Sequence, residues 1–261
     1  MRGFLVFFFI SIYSFSFSLQ NDSLFNSKFP LSPPFLINND SFWVDSILSK
    51  MSIEEKIAQS FFVRANSHSS DENEEYFKKV DDLIIKNQIG GLIFFKSNPH
   101  NVVDLVNRYQ SISKIPLINS IDGEWGVSMR IDSTPFFPWA MTLGSLQDNR
   151  IIYKMGMEIA NQCKLLGIHM NFSPVVDVNN NPENPIIGRR SFGEDPISVS
   201  QKSLAYMKGL QKNGILACAK HFPGHGDTNI DSHNKMPILY HSKSRLDSIE
   251  LYPFNDMIYN G

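Results

Sequence analysis

The sequence predicts an α/β fold built on a parallel sheet. Three observations lead there. Short apolar runs such as "IGGLIFFK" (Ile89 to Lys96) recur without alternation, as in strands buried on both faces. Stretches with helical apolar spacing separate those runs, which is the pattern of a parallel sheet covered by helices. The conspicuous polar residues, Asp122, Asp177 and the stretch from Lys220 to His233, all follow apolar runs directly. Parallel α/β folds place their sites at the carboxyl ends of strands. About five strand–helix units can be read. They are compatible with part of a closed eight-stranded (β/α) barrel and with an open doubly wound sheet.

The elements follow in order. "DSFWVDSILSKMSIEEKIAQ" has helical spacing through Trp43, Val44, Ile47 and Leu48. A second helix start lies at "SIEE", with Ser52 as cap and Glu55 as its box partner. "SFFVRA" is a short strand and "EEYFKKVDDLIIKNQ" a helix. "IGGLIFFK" is a strand, "NVVDLVNRYQSIS" a helix and "IPLINSID" a strand. "DNRIIYKMGMEIANQCKLLG" is a long helix ending at Gly167, followed by the strand-like "IHMNFSPVVDV". "SVSQKSLAYMKGLQKNG" is a helix ending at Gly214, and "ILACAKHFPG" the next strand. "SRLDSIELYPFNDMIYN" begins another helix.

The first residues are set apart. "MRGFLVFFFISIYSFSFSLQ" carries one charge at Arg2, an apolar core from Phe4 to Tyr13 and then small residues. It reads as a secretory signal peptide over 1–20, cleaved near Ser16 to Gln20. The apolar core is shorter than the ~20 residues of a spanning helix, so no stable membrane span is expected after cleavage. Residues 21–40 are a polar, Pro-containing lead-in and 41–261 the folded domain. Export to the periplasm or extracellular space is the expectation. The 261 residues carry a net charge of −2 with no basic run, which argues against a nucleic-acid partner. Cys163 and Cys218 read as buried free thiols and not as a disulfide.

Three segments carry chemistry. In "SIDGEWGVSMRID", a carboxylate at a strand end (Asp122) can accept from two hydroxyls of a polyol, Arg130 supplies a fork of donors, and Trp125 offers an apolar platform. The bland alternative is an Asp–Arg pair that closes a loop. The long loop Ser173 to Pro196 holds Arg189 and Arg190, and Arg190 is placed to present charge to a substrate oxygen. In "KHFPGHGDTNIDSH", Lys220 and His221 end a strand and two glycines flank His225. Asp231 and His233 sit two apart. A carboxylate on one imidazole nitrogen fixes the tautomer and makes the ring a proton shuttle near neutral pH. His221, His225, Asp227, Asp231 and His233 are also ligand types for a divalent ion, although their spacing matches no standard zinc motif.

Taken together, these segments resemble glycoside hydrolase family 3, in particular its β-N-acetylhexosaminidase (β-N-acetylglucosaminidase) branch. "KHFPGHGDTNIDSH" is similar to that branch's signature. "NPENPIIGRRSFGEDP", "IDGEWGVSMR", "MSIEEKIAQSFFV" and "ELYPFNDMI" resemble the wider family. The resemblance covers roughly Ser41 to Gly261. It implies a (β/α)8 TIM-type barrel, incomplete here with about five of eight units. It also implies a carbohydrate partner, no cofactor and no metal. The implied reaction is retaining hydrolysis of terminal β-linked N-acetylglucosamine, from peptidoglycan fragments or other glycans. The implied general acid/base is His233 supported by Asp231. Sugar-binding roles carry over to Asp122, Arg130, Arg190, Lys220 and His221. The family nucleophile, an aspartate in a segment resembling "SDDL" or "TDDL", is not found in this chain. The expectation is therefore a C-terminally incomplete domain that does not turn over by itself. The alternatives are a β-glucosidase of the same family and a non-catalytic relic.

Overall fold

The computed structural model describes residues 41–66 and 74–261. The expected signal peptide and lead-in lie outside the described residues. Among these, no helix is long and apolar enough to cross a membrane.

Helix α1 (Ser41–Leu48) opens the described chain. Helix α2 (Ile53–Ala58) starts at the expected capping box: Ser52 accepts from the Glu55 N–H, and the Glu55 carboxylate accepts from the Ser52 N–H. Each reciprocal bond satisfies a donor that the first helical turn leaves open. Strand β1 (Phe62–Asn66), helix α3 (Glu74–Ile85) and strand β2 (Gly91–Phe95) follow. Next come α4 (Pro99–Ile112), capped by Asn98, and β3 (Ile118–Ile121). A short helix α5 (Ala140–Gly144) precedes α6 (Asn149–Leu165) and β4 (Met170–Asn171). Then come α7 (Pro196–Lys212), capped by Asp195, and β5 (Leu216–Ala217).

The apolar runs predicted for the last two strands are longer than the strands themselves. Their backbones leave the regular ladder and continue through irregular bonds, from the Cys218 N–H to the Ser173 carbonyl and from the Val176 N–H to the Lys220 carbonyl. The last expected helix is two helices, α8 (Lys243–Ser248) and α9 (Tyr252–Tyr259). Pro253 sits in the first turn of α9, where its missing N–H costs nothing, and it could not have continued a helix from α8.

All strand pairs are parallel and the order is β1-β2-β3-β4-β5. A doubly wound sheet reverses its order at a switch point; this one does not, so it is wound in one direction like a barrel wall. The helices agree: α3 packs on α4, α6 on α7, and α7 on α9. The two faces of the sheet differ. Ala65, Leu92, Phe94 and Ile121 face the helices and are fully buried. Ile93, Met170 and Leu216 share the other face and are only half-buried, and Ile118 is 38% exposed. The expectation of strands apolar and buried on both faces therefore holds for the helix side alone. Cys163 is buried as expected, whereas Cys218 is half-buried. Burial pushes the Cys163 thiol up to about 12.

Helices α6 and α7 meet through two glycines. A Cβ on Gly156 would lie 2.6 Å from the Tyr206 carbonyl oxygen, and one on Gly209 would lie 2.3 Å from that of Tyr153. Neither backbone can give way without moving its helix. Gly209→Ala is expected to cost about 1–3 kcal/mol by overpacking. Urea denaturation of wild type and variant measures it, and an unchanged midpoint would show that the helices separate freely.

Candidate active site

The site is built at the carboxyl ends of β3, β4 and β5. Strand alternation from the buried Ile121 turns Asp122 to the opposite face of the sheet. Arg130 reaches the same face, with its Cζ 4.7 Å from the Phe95 ring centre. The turn after Asp122 is pinned by Asn171 of β4, which accepts from the Gly123 N–H at 2.9 Å and donates to the Gly123 carbonyl at 3.0 Å. Gly123 leaves no room for a side chain, since a Cβ there would sit 2.9 Å from the Gly126 carbonyl oxygen.

Two carboxylates then gather three cations. Asp122 Oδ2 accepts from Arg130 Nη2 at 2.5 Å, and its other oxygen accepts from Lys220 Nζ. Lys220 Nζ is also 2.9 Å from Glu124 Oε1. Glu124 takes a bidentate grip from Arg190, Nε at 2.9 Å and Nη2 at 2.6 Å. Its side chain is 5% exposed. Burial opposes the charge on both carboxyls. Lys220 and Arg130 outweigh it at Asp122, and Arg190 and Lys220 at Glu124, so both stay below the ordinary carboxylate range. Burial likewise opposes the Arg190 charge, and the Glu124 carboxylate outweighs it to raise the guanidinium.

Asp177, fully buried, organises the segment after β5. Its Oδ1 accepts from the His225 N–H at 2.6 Å, and its Oδ2 accepts from the His221 N–H at 3.1 Å. The same Oδ2 lies 2.6 Å from His221 Nδ1, while Arg190 Nη2 lies 3.0 Å from His221 Nε2. A guanidinium only donates, so Nε2 accepts and Nδ1–H donates to Asp177. Both nitrogens of His221 are thereby engaged. The peptide bonds Ser173–Pro174, Lys220–His221 and Phe222–Pro223 are cis. Asn184 ties the following loop down, donating to the carbonyls of His225 at 2.7 Å and Thr228 at 2.8 Å. His225 is buried, with Nδ1 2.5 Å from Thr228 Oγ1.

The structure thus brings Asp122, Arg130, Arg190, Lys220 and His221 into one cluster. It keeps Asp231 and His233 apart from that cluster, as a local pair. Asp231 Oδ1 accepts from the His233 N–H at 2.9 Å and from Nδ1 at 2.7 Å, which leaves Nε2 outward on a side chain 81% exposed. The backbone bond from His233, then the bond from its ring, hold the Asp231 carboxyl below its ordinary range. Asp227 pairs instead with His241 Nε2 at 2.6 Å. Among the described residues no three of His, Cys, Asp or Glu converge as metal ligands would. Sequence reasoning passed over Glu124 and noted Asp177 at a strand end without giving it a role. The signals were present: a carboxylate two positions after Asp122, and an aspartate inside the apolar "PVVDV".

Fold and site define a class: a barrel-type α/β domain with a charge-lined cleft at the carboxyl ends of its strands. The chain belongs to glycosyl hydrolase family 3. The family model "Glycosyl hydrolase family 3 N terminal domain" matches residues 52–261. Beta-hexosaminidase A of Pseudoalteromonas piscicida is 37% identical over 193 residues, which span 69% of this chain and 32% of that protein. Beta-hexosaminidase of Neisseria meningitidis serogroup B is 34% identical over 184 residues, 66% of this chain and 51% of that one. The structure of a glycoside hydrolase family 3 beta-N-acetylglucosaminidase from Paenibacillus sp. str. FPU-7 superposes with a TM-score of 0.73 at 35% identity, over 81% of this chain and 40% of that chain. The chain therefore spans a third to a half of the length of these curated relatives.

The depressed carboxyls set a pH dependence. Their folded pKa lies below the unfolded value of about 4, so their contribution to stability is complete above that value and is lost as pH falls through the folded one. The urea midpoint of wild type should exceed that of Glu124→Gln at pH 7, and the gap should narrow steadily below about pH 4. A gap independent of pH would show that the Glu124 charge contributes nothing.

Proposed function

We propose that the protein acts as a retaining glycoside hydrolase that removes terminal β-linked N-acetylglucosamine, from peptidoglycan fragments or other glycans, after export from the cytoplasm. Family membership and two relatives named beta-hexosaminidase support this reading. The observation that carries it is the Asp231–His233 pair, with Nδ1 held at 2.7 Å from the carboxylate and, among the described residues, no hydrogen-bond partner at Nε2.

In this reading the terminal sugar lies against Asp122, Lys220, Arg130 and Arg190. Asp122 offers carboxylate oxygens to sugar hydroxyls, and the cations offer donors. His221 holds Arg190 in place and has no nitrogen free for proton transfer. His233 protonates the departing oxygen through Nε2, and Asp231 steadies the imidazolium that forms once the proton is replaced. The loop carrying His233 must swing inward for this step, because the ring is 81% exposed. Retention demands two steps: a carboxylate, which the family resemblance places in a segment not found in this chain, attacks the anomeric carbon as the oxygen protonated by His233 departs, and water then hydrolyses the glycosyl ester with His233 acting as base.

Two measurements on the full-length protein test this. His233→Ala should slow a substrate with a poor leaving group by ~10²–10⁴-fold and an activated aryl glycoside much less. Equal losses on both would remove His233 from the role of acid. EDTA should leave the rate unchanged; loss on chelation with recovery on adding zinc would return the His and Asp side chains of this loop to a metal-binding role.

A further inference from the structure

The segment that carries Asp231 and His233 is tied together at its base by one contact. Asp227 Oδ2 accepts from His241 Nε2 at 2.6 Å, and Arg245 Nη2 lies 3.7 Å from the same oxygen. A carboxylate only accepts, so Nε2 of His241 carries the proton. The contact joins two stems that are fixed independently. On the near side, Gly226 sits so close to Val178 that a Cβ would meet its carbonyl oxygen at 1.7 Å. Asn184 donates to the carbonyls of His225 and Thr228, and Asn181 to that of Asp227. On the far side, His241 directly precedes Ser242, the cap of α8, and Arg245 of that helix reaches the buried Glu250 at 2.6 Å.

Between the stems the chain makes few bonds to the rest of the protein. Among the described residues, every hydrogen bond made within 229–240 stays inside that segment and ends on Asp231, from His233, Asn234 and Lys235. Of its apolar side chains, Met236, Ile238 and Tyr240 are exposed, and Ile230, Pro237 and Leu239 are half-buried. An excursion of this length whose ends meet has the form of an Ω-loop, roughly 6–16 residues long. His233 stands between the two stems with no hydrogen bond of its own to the body of the protein, so its place depends on how the base is closed.

We propose that Asp227 and His241 are positioning residues for His233: their contact clamps the base of the loop and limits the positions from which the imidazole meets a departing oxygen. Joining two ends of a chain removes the conformations in which they separate. A reacting group misplaced by about 1 Å can lose ~10²-fold in rate, so the clamp bears on the proton transfer although neither residue touches the sugar. This rests on the reading of His233 as the proton donor for its place in the reaction, and on the contact itself for the clamp.

The experiment has two arms on the full-length protein. In the first, kcat/KM is compared for phenyl and 2,4-dinitrophenyl β-N-acetylglucosaminide, a poor and a good leaving group. His241→Ala should slow the phenyl glycoside about 10–100-fold and the dinitrophenyl glycoside less than about 3-fold. His241→Gln, whose amide still donates to Asp227, should recover most of the loss. Asp227→Ala combined with His241→Ala should lose no more than either alone. Equal losses on both substrates, no loss on either, or losses that multiply in the double variant would overturn the proposal. In the second arm, trypsin cleavage after Lys235 is timed. It should be about 10-fold faster in His241→Ala, with cleavage at other sites unchanged, and return toward the wild-type rate in His241→Gln. That result supports the clamp even if neither glycoside is cleaved, in which case the glycosidase reading fails by itself. A cleavage rate unchanged by His241→Ala overturns the clamp whatever the activity.

Discussion

Two carboxylates that leave the end of one four-residue strand hold the cleft together. Asp122 and Glu124 draw Arg130, Lys220 and Arg190 from three separate segments into a half-buried cluster. Unpaired, any one of these charges would cost several kcal/mol in such a place. Pairing turns that cost into a constraint: the loops after β3, β4 and β5 can satisfy their charges only in one mutual arrangement. Asp177 extends the constraint through His221 and two backbone N–H groups.

The same arrangement divides the chemical labour. Every cation in the cleft already donates to a carboxylate, and His221 has both nitrogens occupied. Such groups orient and hold; they have no proton to exchange without dismantling the cluster. In the proposed reaction the mobile proton therefore belongs to a group outside the cluster, and His233, paired with Asp231 and exposed, is such a group.

Legibility in the sequence followed the range of the interactions. The Ser52–Glu55 box and the pairing of Asp231 with His233 are contained within three residues, so local chemistry reveals them. The alternation of apolar runs and amphipathic stretches announced a parallel sheet. It could not decide between one-way and two-way winding, because strand order is a property of pairing and not of pattern. Glu124 finds Arg190 66 residues away, and Asp177 finds His221 44 residues away. The neighbouring residues mark each carboxylate as unusual but do not name its distant partner. The long apolar runs around Met170 and Leu216 promised strands of full length, yet only two residues of each join the ladder before irregular backbone bonds take over.

A double-mutant cycle on Glu124 and Arg190 tests the central claim most directly. Stabilities of wild type, Glu124→Gln, Arg190→Gln and the double variant would be measured by urea denaturation at pH 7. If the buried pair governs the arrangement of the cleft, the two losses will be strongly non-additive, with a coupling of about 1.5–3 kcal/mol. Losses that simply add, to within about 0.5 kcal/mol, would mean that each side chain is held by something else and that the ion cluster does not organise the site.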